Sequence, residues 1–168
     1  LRDIFFNLFE YLRIQDSVLG KEPFTAFDEQ SAREALSALE TLCTTDLAAS
    51  FVDSDRIPLK LDDKGNVTIQ PAVRAAIERL IEGGWTKFDT PDRMGGLGAS
   101  ATIGWAAYEM MVGANPCAMF YVCFGPMVAR VIDACGTDRQ KTLFLDKMIE
   151  RNWAGTMVMT EPEAGSDV

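Results

Sequence analysis

The chain is 168 residues long, 48% apolar and 24% charged, which excludes a disordered or fibrous protein and allows one domain with a sizeable core. The 16 basic residues stand against 25 acidic ones, and with a net charge of -9 and no basic patch, nucleic acid is excluded as an expected partner. Cys43, Cys117, Cys123 and Cys135 form no C-x-x-C pair and there is no histidine, so a zinc set is not expected and the cysteines read as reduced core thiols of a cytoplasmic protein.

The opening stretch "LRDIFFNLFEYLRIQDSVLG" repeats Ile4, Phe5, Leu8, Phe9 and Leu12 at helical spacing. Asp3 is placed to cap this amphipathic helix and Gly20 to end it. Charges run throughout it, so it lacks the apolar core of a signal peptide, and no transmembrane run of about 20 apolar residues is expected anywhere. The linker "GKEPFTAF" leads to Asp28, the expected N-cap of a long helix reaching about Val52, with Ala32, Ala35, Leu36, Leu39 and Cys43 on one face. "IPLKLDDKGNVTI" alternates apolar and polar residues around a turn signal and reads as a short hairpin.

Pro71 suits the first turn of the next helix, whose inner face is Val73, Ile77 and Leu80, and Gly83-Gly84 stop it. Trp85 and Phe88 anchor the following loop, and Ser100 is the expected N-cap of the helix after it. The loop glycines Gly95, Gly96 and Gly98 do not fit G-x-G-x-x-G and follow no strand, so a turn before a helix explains them better than a dinucleotide loop. Two helices apolar nearly all round are predicted over about Ala101 to Ala114 and Pro116 to Cys135, the second loosened at Gly125-Pro126. Such helices are central in a bundle, or leave one face to line an apolar ligand pocket. Thr137 with Gln140 makes a capping box for a last helix running to about Arg151.

At Trp153 the pattern changes: "WAGTMVM" is small, β-branched and apolar without helical period, and "TEPEAGSD" is turn chemistry. A strand here has no partner in this sequence to take its backbone hydrogen bonds. Together with the leucine at position 1, that points to a piece of a longer protein. The expected units are an N-terminal helix and linker over 1–27, an all-α domain over 28–152, and the first strand of a β-domain over 153–168.

The stretch "MVMTEPEAGSDV" resembles the flavin-binding strand and turn of the acyl-CoA dehydrogenase family, whose signature is T-E-P-x-A-G-S-D. "GGW" at Gly83 to Trp85, "GGLG" at Gly95 to Gly98, the apolar central helices and "GTDRQKTLFLDKM" are similar to that family's N-terminal helical domain in the same order. The leading helix, "GKEPF" and the "IPLKLDDKGNVTI" insert resemble its longer bacterial branch, which carries an N-terminal extension.

The resemblance implies an N-terminal α-domain, a middle β-domain and a C-terminal bundle, with FAD held between them and across a subunit interface of a homo-oligomer. By motif position it places Met157, Val158, Met159 and Thr160 against the flavin, with Gly165 and Ser166 continuing the contact. Ser166 also approaches the CoA portion of an acyl-CoA substrate, and Met119, Phe120 and Cys123 fall on the helix that lines the acyl pocket. The implied reaction is α,β-dehydrogenation: a carboxylate takes the α-proton while the β-hydrogen leaves as hydride to flavin N5. Hydrogen bonds to the thioester carbonyl stabilise the developing enolate. The family's base glutamate lies beyond Val168, so no catalytic residue falls in this segment. Glu161 and Glu163 receive no catalytic role. An electron-transfer flavoprotein or another acceptor is the implied redox partner. The alternatives are a non-catalytic relative that binds acyl-CoA or supports assembly, and a helical interaction module in which the motif is coincidental.

Overall fold

The computed structural model describes residues 1–167. The chain opens with α1 (Arg2–Phe5), which widens at once into a π-helical segment over Phe6–Tyr11. The single helix expected up to Gly20 is not formed. Leu12 donates its N–H to the Asn7 carbonyl five residues back, and Arg13 turns left-handed at φ 51°, after which α2 (Ile14–Ser17) begins again. Asp3 therefore sits inside the first turn, and Leu1 holds the N-cap position. Leu8 and Phe9 of the apolar stripe pack inward while Leu12 stays exposed, and Arg33 stacks over Phe9 at 3.9 Å from the ring centroid, pinning this segment to the next helix.

The long second helix is three pieces: α3 (Glu29–Leu42), a π segment (Cys43–Leu47) and α4 (Ala48–Arg56). Asp28 caps it as expected, in a reciprocal capping box with Ser31. The widening coincides with "CTTD", where the Thr44 and Thr45 hydroxyls donate to the Glu40 and Thr41 carbonyls at 2.8 and 2.7 Å. Such back-bonding competes with the regular ladder. The hairpin forms as predicted, from β1 (Lys60–Leu61) antiparallel to β2 (Val67–Thr68). Asp62 folds its turn by accepting the side-chain amide and backbone N–H of Asn66 and the N–H of Lys64, and these bonds hold its carboxyl below the ordinary carboxylate range.

α5 (Pro71–Glu82) starts on Pro71 and stops at Gly83, as its sequence signals require. The loop after it holds two 3₁₀ turns (Trp85–Lys87 and Asp92–Met94) and leads to α6 (Ala101–Ala114). Ser100 takes the N-cap position, but its hydroxyl is buried without a hydrogen-bond partner, so it is not the side-chain cap predicted.

The next helix divides into α7 (Pro116–Val122) and α8 (Phe124–Cys135). Pro126 has no N–H for the Val122 carbonyl, which accounts for the break at Cys123. By length and composition Pro116–Cys135 could cross a bilayer, contrary to the expectation that no such run exists. Here it is broken in two and packs Ala118, Met119, Val122 and Ala129 inside the protein.

α9 (Asp138–Ile149) closes the bundle behind the expected Thr137–Gln140 capping box. α5 packs on α4 and α7, α6 on α3 and α7, and α9 on α8. Leu36, Leu39, Leu47, Leu80, Ile103 and Met111 fill the main core, while Ala129, Met148 and Ile149 make a smaller one between α8 and α9.

Candidate functional site

Asn115 ends α6 and begins α7, and it is fully buried. Its Oδ1 accepts the Ala118 N–H at 3.0 Å, and its Nδ2 donates to Ser50 Oγ on α4 at 2.8 Å. Ser50 in turn donates to the Leu47 carbonyl at 2.8 Å. This satisfied network fixes how α7 leaves α6, because moving either helix would strand buried polar atoms.

The two helices so fixed enclose a groove of about 140 Å³, lined by Trp105, Tyr108 and Val112 of α6 and by Met119, Phe120 and Cys123 across from them. The structure thus brings together Met119, Phe120 and Cys123, one helical turn apart. Met119 and Cys123 are buried at its floor, whereas Phe120 is 64% exposed at its rim and stacks on Phe124 with ring centroids 5.9 Å apart. Trp105 and Tyr108 pack at 5.7 Å on the opposite wall.

The groove carries no charge at neutral pH. Burial, then the negative charge of Asp89, pushes the Tyr108 hydroxyl up to about 12 against the opposing Arg130, and burial raises the Cys123 thiol. Its lining is therefore apolar apart from a neutral phenol and a neutral thiol, chemistry suited to an aliphatic chain.

A second region starts where α9 ends. The segment Trp153 to Gly155 runs against α8 so closely that a Cβ on Gly125 would lie 2.4 Å from the Trp153 carbonyl oxygen. A Cβ on Gly155 would lie 2.9 Å from that of Phe124. Both contacts need glycine, and together they set the point from which the TEP stretch departs.

The strand expected from Trp153 onward is not formed among the described residues. Among the described residues, Thr156 to Thr160 have no regular secondary structure and no backbone hydrogen bonds, since no strand among them lies alongside to supply a ladder. Met157, Val158 and Met159 are exposed, Val158 by 86%. The turn that follows is held by its own backbone: Glu161 and Gly165 exchange N–H···O bonds of 2.8 and 2.9 Å, and Gly165 adopts φ 63°. Thr160, Gly165 and Ser166 all face open space, and Glu161 and Glu163 make no ion pair among the described residues.

None of Met157, Val158, Met159, Thr160, Gly165 or Ser166 lines the groove. The sequence missed Trp105, Tyr108 and Val112, although their three- and four-residue spacing on an all-apolar helix marks a common face. It also missed the ion pair beside Tyr108, in which Arg130 Nη2 lies 2.5 Å from Asp89 Oδ1. A larger cavity, about 530 Å³ between residues 22–26 and the glycine loop, contains none of the predicted site residues.

A mostly helical domain thus carries an apolar groove and a TEP turn at its edge. Residues 40–152 match the family model described as acyl-CoA dehydrogenase, N-terminal domain. The chain is 36% identical over 169 residues to the broad-specificity linear acyl-CoA dehydrogenase FadE5 of Mycobacterium tuberculosis, an alignment covering all of this chain and 27% of that protein. It is 31% identical over 172 residues to the 3-methylmercaptopropionyl-CoA dehydrogenase of Ruegeria pomeroyi, again across the whole chain and 28% of the relative. A butyryl-CoA dehydrogenase of Syntrophomonas wolfei is 40% identical over 60 residues, which is 36% of this chain. The chain belongs to the acyl-CoA dehydrogenase family, and it spans 27–28% of the length of the relatives it matches end to end.

Proposed function

We propose that the intact protein is an FAD-dependent acyl-CoA dehydrogenase to which this chain contributes one wall of the acyl pocket and the first edge of the flavin site. The observation that carries this reading is that Thr156 to Thr160, leading into the TEP turn, make no backbone hydrogen bonds among the described residues, beside a domain of the family's helical class. Exposed N–H and C=O groups at Met157 to Thr160 suit the polar edge of a flavin, and the apolar side chains between them suit its flat face. No Cβ clash guards Gly165, so a ligand can approach that backbone closely. The residues present therefore fit the cofactor.

FAD, when bound, supplies the two-electron acceptor for the hydride that leaves the substrate β-carbon. The chain's own part is to hold and orient: Thr160 offers a free hydroxyl, Ser166 a hydroxyl toward the CoA portion, and Met119, Phe120 and Cys123 an uncharged groove for the acyl tail. Excluding water from that tail raises affinity by about 0.8 kcal/mol per buried methylene. The relatives' names, which run from linear acyl-CoA to 3-methylmercaptopropionyl-CoA, support acyl-CoA as the substrate class here. Residues 153–168 belong to the β-domain in this reading, after an N-terminal unit over 1–27 and the α-domain over 28–152. A homo-oligomer, an electron-transfer flavoprotein or similar acceptor, and a reducing cytoplasm complete it, the last supported by four unpaired cysteines.

The test is to purify the full-length protein, record its visible spectrum, and follow acyl-CoA-dependent dye reduction. Flavin absorbance bleached by an acyl-CoA is the expected result. A protein with no flavin absorbance and none gained on adding FAD overturns the reading.

A further inference from the structure

Trp105 borders two grooves at once. On one side lies the groove of about 140 Å³ with Tyr108, Val112 and Phe120. On the other lies a second of about 400 Å³, walled by Ile4, Leu8 and Leu12 of the N-terminal segment and by Ala106 of α6. Helical geometry explains the double contact. At 3.6 residues per turn, Tyr108 and Val112 fall to one side of Trp105, whereas Thr102, Ala106 and Glu109 fall to the other. The indole therefore stands on the ridge between them, 66% exposed and braced by Tyr108. Nothing else borders both cavities among the described residues.

The second groove is apolar along its floor, through Ile4, Leu8 and Ala106, and polar only at its rim, through Asp3, Asn7, Thr102 and Glu109. An alkyl chain emerging from the first groove past position 105 would meet apolar surface. With the indole in place it meets a side wall instead.

We propose that Trp105 sets acyl-chain length, closing the first groove in the wild-type protein and separating it from an extension built by the N-terminal segment. The proposal rests on the acyl-pocket reading of the Met119, Phe120 and Cys123 groove. Trp105 is then a specificity-determining residue that touches the tail and not the reacting carbons.

The experiment uses the full-length protein and S-alkyl-CoA thioethers from butyl to eicosyl, which lack the thioester carbonyl and so bind without turning over. Affinities are read by calorimetry for wild type, Trp105→Ala and Trp105→Phe. In wild type each added methylene is expected to strengthen binding by roughly fourfold until the tail reaches the indole, after which the gain stops. In Trp105→Ala the gain continues for longer chains, and Trp105→Phe breaks at an intermediate length. A break at the same length in all three proteins overturns the role of Trp105 while leaving the acyl-pocket reading intact. Affinity independent of chain length in all three overturns both. The indole is mostly exposed, so both variants are expected to keep their helices, which circular dichroism checks.

Discussion

Arg130 on α8 places Nη2 2.5 Å from Oδ1 of Asp89, in the loop before α6, and Asp89 is only 8% exposed in this contact. The pair clamps that loop to α8 beside Tyr108, whose phenol stays neutral partly because Asp89 repels a second negative charge. Asp89→Ala leaves the partly buried guanidinium without its counter-charge, with its Nε and Nη2 already lacking a hydrogen bond of good geometry. The expected loss is about 1–3 kcal/mol, between the values for exposed and buried pairs. Urea denaturation of Asp89→Ala, Arg130→Met and the double variant checks it. Losses that simply add in the double variant would show the pair to be uncoupled.

A second clamp is acid-sensitive. Arg93 Nη2 lies 2.6 Å from Asp133 Oδ2, and the hydrogen bond from Arg93 holds the Asp133 carboxyl below its ordinary range. With the folded pKa depressed, the pair's contribution is complete above the unfolded value of about 3.9 and disappears as pH falls through the folded one. The difference in melting temperature between wild type and Asp133→Asn should therefore shrink as pH is lowered from about 6 to about 3. A difference constant across that range would remove Asp133 from the acid response.

Several capping residues and much of the helical core were legible because each is a local code. Asp28, Pro71, and Thr137 with Gln140 do in three dimensions what their spacing predicts, whereas Asp3 and Ser100 do not act as side-chain caps. The π segments at Phe6–Tyr11 and Cys43–Leu47 were not legible, since apolar periodicity barely changes when a helix widens by one residue. Trp105 escaped for a different reason. On a helix apolar all round, periodicity cannot say which face meets the core and which lines a groove; that depends on where α7 leaves Asn115. The strand expected after Trp153 failed on the ladder: β-propensity at Val158 supplies no partner for its N–H.

Asn115 and Thr137 both cap helices through a side-chain oxygen, yet their removal should differ in cost. Thr137→Ala loses one exposed cap, about 1 kcal/mol. Asn115→Ala loses a cap and also removes the donor to the buried Ser50 oxygen, for about 2–4 kcal/mol in total. Chemical denaturation of the two variants under one condition tests the ranking. Equal losses would mean that water reaches Ser50 and that the Asn115 network does not fix the α6 to α7 angle.

Gly125 carries a steric prediction. A methyl at this position would sit 2.4 Å from the Trp153 carbonyl oxygen, which is backbone and cannot rotate away. Gly125→Ala should cost about 1–3 kcal/mol and push the chain after α9 off α8, moving the root of the TEP stretch. In the proposed full-length flavoprotein, the predicted signature is a larger fall in flavin content than in helix content, by visible absorbance and circular dichroism. Equal falls would place the damage in the helical core.

Thr160 is the sharpest test of the proposed flavin edge. Its side chain is exposed and makes no hydrogen bond among the described residues, so truncation should leave the fold unchanged. In the intact protein, a Thr160 hydroxyl bonded to the cofactor would be worth roughly 1–3 kcal/mol as a buried partner, shared between affinity and redox balance. Thr160→Ala is therefore expected to weaken FAD binding or shift the flavin reduction potential by that amount, with melting of the apoprotein unaffected. Thr160→Ser, which keeps the hydroxyl, should restore most of the loss. A Thr160→Ala protein with wild-type FAD affinity and wild-type potential would remove Thr160 from the flavin site, and the TEP turn would then stand as a backbone device alone.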